Sequence, residues 1–268
     1  MKTSQIVEAG LKRVGAAVLW GMLAFVLAGA VQPGVAAGSP VALRCSAPGN
    51  AAERMQCADL ERKVLDATVF LRFTLHCGRA GNRSSVALVP SHATIMDSRT
   101  LLTHDHFYPL SDPACVVTAL EVATTGGEML AEIEDAAVLA DVAQQLRPDP
   151  TGSGNQTRVA RFPASLFTPV PDLTFETVDR TAARAAFAYT GELAEINWES
   201  YPQATRVQWV RPVALERRGP ALGLVVDRAV EVGASGGGVF RITPAGLAHV
   251  GNIWGTWHDD DTSIVALN

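Results

Sequence analysis

Short runs of apolar and β-branched residues recur along the chain beyond residue 37, and helical periodicity is scarce there. ATVFLRFTLHC, SSVALVP, HATIMDSRTLLT, ACVVTALEVAT, TRVARFP, TRVQWVRPVAL, LGLVVDRAV, GGVFRIT and LAHVGNIWGTW all read as strands. Such side chains suit a pleated surface, and the turn signals GRAGN, TTGGE, RRGP and TPAG separate the runs. Many short strands at this spacing predict an all-β sandwich or barrel. AERMQCADLERKVLDAT is the best helix candidate, while AAVLADVAQQL reads equally as strand or helix. RPDPTGSGNQ, Arg147 to Gln156, concentrates Pro, Gly and Ser and divides the chain beyond residue 37 into two halves. HDDDT near the end reads as a solvated turn.

The first 37 residues follow another pattern. Lys2, Lys12 and Arg13 precede an uninterrupted apolar run from Val14 to Ala30, and small residues follow, with Val35-Ala36-Ala37 as a candidate cleavage site. This is the pattern of an export signal over residues 1–37, and it predicts a secreted or periplasmic protein. An uncleaved membrane anchor is the rival reading, for which the run is at the short end. A membrane contact is expected only in that case.

Hydrophobic residues make up 48% of the 268 and charged residues 18%, which allows a sizeable core and argues against disorder. The formal net charge is −5 with no Lys/Arg block, so nucleic acid is not the expected partner. Cys45, Cys57, Cys77 and Cys115 all follow the leader, and an even number in an exported chain reads as disulfides. Of the three pairings, Cys45–Cys57 and Cys77–Cys115 join sequence neighbours and close small loops. No CxxC pair points to thiol-bound zinc.

GASGGGVF, Gly233 to Phe240, raises the question of chemistry. A phosphate loop needs Lys and Ser/Thr after its last glycine and then a helix, and a dinucleotide fingerprint also needs the helix. Here a strand-like VFRI follows, so both fail. A structural glycine hairpin and a nucleophile turn remain.

Upstream, RTLLTHDHFYP places an apolar pair, Thr103, two residues and His106 in that order. This segment resembles the catalytic-histidine segment of the chymotrypsin-like serine peptidases. GASGGGVF resembles the same family's nucleophile segment, with Ser235 as nucleophile, and HVGNIWG, His249 to Gly255, resembles the strand that lines the substrate cleft. Order and separation agree, and the resemblance covers roughly residues 65–268. It implies two antiparallel six-stranded β-barrels, the first over 65–150 and the second over 151–268, after an N-terminal segment 38–64 that carries the candidate helix. It further implies an exported serine endopeptidase with a protein or peptide substrate and no cofactor. Ser235 would attack the peptide carbonyl with His106 as its base, and the amides of Gly233 and Ser235 would stabilise the oxyanion.

The acid of the triad stays open. Asp149 divides the interval between His106 and Ser235 in the family's proportions, although Asn155 stands nearer the start of the following strand. Asp135 resembles the Asp-x-Ala-x-Leu pattern of some bacterial relatives; Asp141 and Asp172 are more distant options. Departures from the pattern are Ala234 for the aspartate that receives a new N-terminus, Gly238 for proline, and Phe107 for cysteine. These resemble bacterial members and leave an inactive homologue possible. Ala229, Val232 and Ile253 would line the specificity pocket; without an acid at Ala229, small or medium apolar side chains are expected there. Two other readings are a non-catalytic binding protein on the same fold and a metal-dependent hydrolase chelating through His104 and His106. His92, in SHATIM, is expected to be structural.

Overall fold

The structure is a computed structural model and describes residues 43–78, 85–148, 156–177, 191–198, 205–218, 221–257 and 261–267. Most of the HDDDT segment and the whole export segment lie outside these residues.

Asn50 opens helix α1 (Ala51–Asp66): its side chain accepts the Glu53 amide at 2.9 Å, while the Glu53 carboxylate accepts the Gly49 amide at 2.6 Å. This reciprocal cap fixes the helix start. Cys57, Leu60 and Val64 fall on one helical face and are buried.

The first sheet contains β1 (Thr68–Cys77), β2 (Ser85–Asp97), β3 (Thr100–His104), β4 (Cys115–Thr124), β5 (Met129–Ile133) and β6 (Thr157–Arg161). Their order is β5-β4-β1-β2-β3-β6, antiparallel throughout. Val69, Leu71, Phe73 and Leu75 alternate along β1 into the first core. SSVALVP and HATIM belong to one long strand, β2, which passes through Pro90. The proline is tolerated because β2 has only β1 beside it there; pairing with β3 begins at Thr94. The first sheet continues to Arg161, past the expected boundary at residue 150, because β6 pairs with β3.

Between β5 and β6 lies helix α2 (Ala136–Leu146), which settles the ambiguous AAVLADVAQQL segment. Asp135 caps it, Oδ1 accepting the amides of Ala137 and Val138 at 2.9 and 3.0 Å. Leu139, Val142, Ala143 and Leu146 recur at helical spacing and enter the first core.

The second sheet contains β7 (Leu173–Phe175), β8 (Leu193–Trp198), β9 (Thr205–Val210), β10 (Pro212–Arg218), β11 (Ala221–Val226), β12 (Gly238–Thr243), β13 (Gly246–Trp257) and β14 (Thr262–Leu267). The path is β10-β11-β14-β13-β12-β8-β9. Its two ends, β9 and β10, are separated in sequence by Arg211 alone, so the edges meet in one bent strand and the sheet rolls up. Asp227 pins the bend: Oδ1 accepts the Arg211 amide at 2.7 Å, and its own amide donates to the Arg211 carbonyl at 3.0 Å. With β9 and β10 taken as one, the roll has the six strands expected. Strand β7 is an addition, parallel to β13.

Helix α1 packs on the second core, and Trp209 Nε1 donates to Glu61 Oε1 at 2.7 Å. Both disulfides pair as expected: Cys45–Cys57 ties the entering chain to α1, and Cys77–Cys115 joins paired ends of β1 and β4.

The α2 cap generates a test. Asp135→Ala is expected to cost about 1 kcal/mol in urea unfolding, whereas Asp135→Asn, which retains an N-cap oxygen, stays within a few tenths of wild type.

Candidate functional site

Between β11 and β12 the chain forms a loop whose carbonyls are held from outside. The Val232 carbonyl accepts Trp198 Nε1, and the Gly233 carbonyl accepts His92 Nδ1 at 2.7 Å. The Ala234 amide donates to Glu231, that of Gly236 to Ile253 at 2.8 Å, and that of Gly237 back to Ala234. The amides of Gly233 and Ser235 bond to no carbonyl among the described residues. A trans peptide points the Gly233 N–H opposite to the Val232 carbonyl, hence away from Trp198. Gly233 has φ +106° and Gly236 φ +86°. A Cβ on Gly233 would lie 2.3 Å from the Trp198 ring; on Gly236 it would lie 2.2 Å from both the His92 carbonyl and Thr103 Oγ1. Only glycine fits either position.

Two residues of β2 grip Ser235 from the first sheet. The His92 amide and Ser91 Oγ both donate to its carbonyl, each at 2.9 Å. His92 is wholly buried. Its Nδ1 faces a carbonyl and must carry the proton, which leaves Nε2 to accept from Thr205 Oγ1 at 3.2 Å. Desolvation pushes its pKa down to about 4, partly offset by the Gly233 bond. His92 is thus structural, as the sequence suggests, and its task is to orient the loop of Ser235.

His106 follows the end of β3. Phe107, fully buried against Phe73, anchors the chain directly after it. The half-buried His106 ring lies on His104 (centroids 3.7 Å) and edge-on to Trp254 of β13 (5.7 Å). Trp254 Nε1 also donates to Asp105 Oδ1 at 3.2 Å, so Asp105 ties the histidine loop to the second sheet. Arg158 lies 3.8 Å from the same carboxylate. Burial pushes His106 down to about 4.

His104 cannot serve the metal reading. Its Nε2 is 2.9 Å from Ser91 Oγ, and its Nδ1 accepts the His106 amide at 3.0 Å. Both nitrogens are committed, so the His104–His106 chelate is not available, and no cluster of three or more His, Cys, Asp or Glu suited to a metal occurs among the described residues.

The candidate acids are dispersed. Asp149 lies outside the described residues. Asp135 caps α2 through Oδ1, Asp141 accepts Gln145 Nε2 at 2.9 Å on that helix, and Asp172 sits in a turn before β7 with φ +62°. Of the pocket candidates, Val232 is 77% exposed. Ala229 is half-buried, its carbonyl accepting Gln208 Nε2 at 3.1 Å. The Ile253 side chain is fully buried in the second core and cannot form a pocket wall; its backbone brackets the glycines, donating to Gly237 and accepting from Gly236, each at 2.8 Å.

Three supporting residues are silent in the sequence. Trp198 packs on Gly233, and Ser91 reaches Ser235. Glu195 on β8 is completely buried; desolvation pushes its carboxyl up to about 8, against hydrogen bonds from Gln208 and Ser263. Through Gln208, which also bonds the Ala229 carbonyl, and Asn197, whose Oδ1 accepts the Glu231 amide at 2.9 Å, this network supports the loop ahead of Gly233. Trp198 and Glu195 stand on β8, which no strand-like run covers, and Ser91 falls between the runs SSVALVP and HATIM.

No family model matches the chain, and no curated protein matches it. Among solved structures, it is similar to tobacco etch virus protease in complex with product, at 12% identity and TM-score 0.48, over 78% of this chain and 75% of that one. The inactive form of that protease complexed with substrate gives 10% identity and TM-score 0.44, over 77% and 80%. The NS6 protease from murine norovirus 1 gives 12% and 0.40, over 66% and 85%. Likenesses at this level identify neither nucleophile nor substrate; the fold rests on the strand order above.

The buried histidines generate a pH test. His92, His106 and His249 are held down to about 4, and His104 well below its usual range, in each case first by desolvation. Each is neutral in the folded chain where the unfolded chain takes up a proton. The histidine contribution to stability is therefore full above about pH 6.5 and falls as pH drops towards 4, by up to about 1.4 kcal/mol per pH unit for each histidine. Glu195, held up to about 8, acts the other way from about pH 8 down to about 4.5 and offsets about one of them. Urea midpoints between pH 8 and 4 check this; a flat profile contradicts the burial.

Proposed function

We propose that this chain is a serine peptidase in which Ser235 attacks the substrate carbonyl and His106 takes its proton. The observation that carries the reading is the Ser235 loop. It holds a positive-φ glycine on each side of the serine and leaves the Gly233 and Ser235 amides unbonded to any described carbonyl. Such a pair of amides stabilises an oxyanion. The loop is bonded to the first sheet beside the β3 end that leads to His106. A cysteine nucleophile is disfavoured, since all four cysteines of the chain are in disulfides. The substrate is a protein or peptide with a small or medium apolar side chain at the cleavage position, received near Val232 and Ala229. The two disulfides fit an oxidising compartment outside the cytoplasm. No helix among the described residues is long and apolar enough to cross a membrane.

Asp149 is the proposed triad acid and Asp135 the second candidate; the cap that Asp135 makes weighs against it. A non-catalytic cleft on the same fold is the competing reading, and the burial of His106 favours it, because an imidazole pushed down to about 4 by desolvation is a weak base.

Labelling by a fluorophosphonate probe separates the two. The wild-type protein is expected to label at a single site, with labelling lost in Ser235→Ala and His106→Ala. Asp149→Asn should lower the labelling rate by about four orders of magnitude if it is the acid. The acid limb of the rate should then fall nearer pH 7 than pH 4. A folded wild-type protein that takes up no probe leaves the binding reading in place.

A further inference from the structure

We propose that Ser91 and His104 form a pair of positioning residues, a hydrogen-bonded relay between sheets that sets the place of His106 relative to Ser235; this rests on the peptidase reading above. Ser91 Oγ has one proton and two carbonyls in reach, Ser235 at 2.9 Å and His92 at 3.2 Å. It donates to the nearer, Ser235. Towards His104 Nε2, 2.9 Å away, the hydroxyl can then only accept, so Nε2 carries the ring proton. Nδ1 is left with its lone pair, which takes the His106 amide at 3.0 Å. One pattern satisfies every member: His104 to Ser91, Ser91 to the Ser235 carbonyl, and the His106 amide to His104. It requires a neutral imidazole, because a second ring proton would face the His106 N–H.

The ring has no freedom to adopt another pattern. His104 is 3% exposed and Ser91 fully buried, so water does not replace either partner. One face of the ring lies on Phe107 at 4.3 Å and 11°, and His106 lies 3.7 Å away. Gly236 fits closely against its edge; a Cβ there would come within 2.7 Å of Cδ2. Ser91 and His104 stand on β2 and β3, and Ser235 on a loop of the second sheet, so the relay crosses between them. A movement of the serine loop is passed to the backbone that carries the base. Neither residue touches substrate in this account; they hold the base in register with the nucleophile.

The two nitrogens of His104 can be tested separately. His104→Asn keeps an acceptor in place of Nδ1 and loses the donor to Ser91. His104→Gln keeps a donor in place of Nε2 and loses the acceptor. Ser91→Ala removes the middle of the relay. Each folded variant is expected to lower kcat on a peptide substrate, and the rate of fluorophosphonate labelling, about 10- to 100-fold with KM nearly unchanged. The Ser91→Ala/His104→Asn double variant should be no slower than the slower single one, because the members act as a unit. Folded variants at the wild-type rate overturn the proposal. Wild-type protein that takes up no probe sinks the peptidase reading instead. The relay is then tested by NMR in Ser235→Ala protein: His104 is expected to hold the Nε2–H tautomer well below the ordinary histidine range, and the His106 amide resonance to shift on adding Ser91→Ala. An unmoved His106 amide overturns the relay there as well.

Discussion

The Ser235 carbonyl accepts two hydrogen bonds from the first sheet, one from the His92 amide and one from the Ser91 hydroxyl. Much of the site depends on this grip. The two sheets enclose separate apolar cores, and around Ser235 they meet through buried polar groups: Ser91, His92, Thr103 and His104 from one side, the Gly233–Gly236 backbone from the other. Each of those groups is desolvated and costs about 1–3 kcal/mol if left unpaired. The pairing is therefore specific: a shifted loop would leave several of them without partners. Gly236 follows from the same closeness, since the His92 carbonyl and Thr103 Oγ1 occupy the space of any side chain there.

The same burial governs the electrostatics. No cationic side chain lies among the residues that grip the Ser235 loop, and its histidines stay neutral because desolvation outweighs the available hydrogen bonds. Neutral rings with fixed tautomers make directional donors and acceptors. His92 donates to the Gly233 carbonyl and, in the proposed relay, His104 donates to Ser91 and Ser91 to the Ser235 carbonyl, so each ring holds a carbonyl, directly or through the hydroxyl. Trp198 does the same for the Val232 carbonyl. The glycines allow the loop its shape, and side chains from β2 and β8 select it.

The legible part of the chain was the part whose signal is local. Strand runs, the α1 helix segment, the disulfide pairs of sequence neighbours, and the His106 and Ser235 segments all rest on residues close together in sequence. Where local signals conflict, contacts decided: AAVLADVAQQL is a helix because Asp135 caps it and four of its apolar residues reach the first core. Strands β5, β7, β8 and β14 were missed, β8 partly because Glu195 and Asn197 interrupt its apolar run; both are buried and bonded across strands, which period-2 patterning cannot reveal.

By itself, then, the sequence determined an all-β class, two halves, and a glycine-flanked serine following a histidine loop, because propensity, turn chemistry and motif spacing act over a few residues. Only the tertiary structure decided that Ile253 belongs to the core and not to a pocket, that Asp135 caps a helix, that β6 joins the first sheet, and that His104 is spent on Ser91 and the His106 amide. Those outcomes depend on which groups meet across long sequence separations and on how little water is left between them.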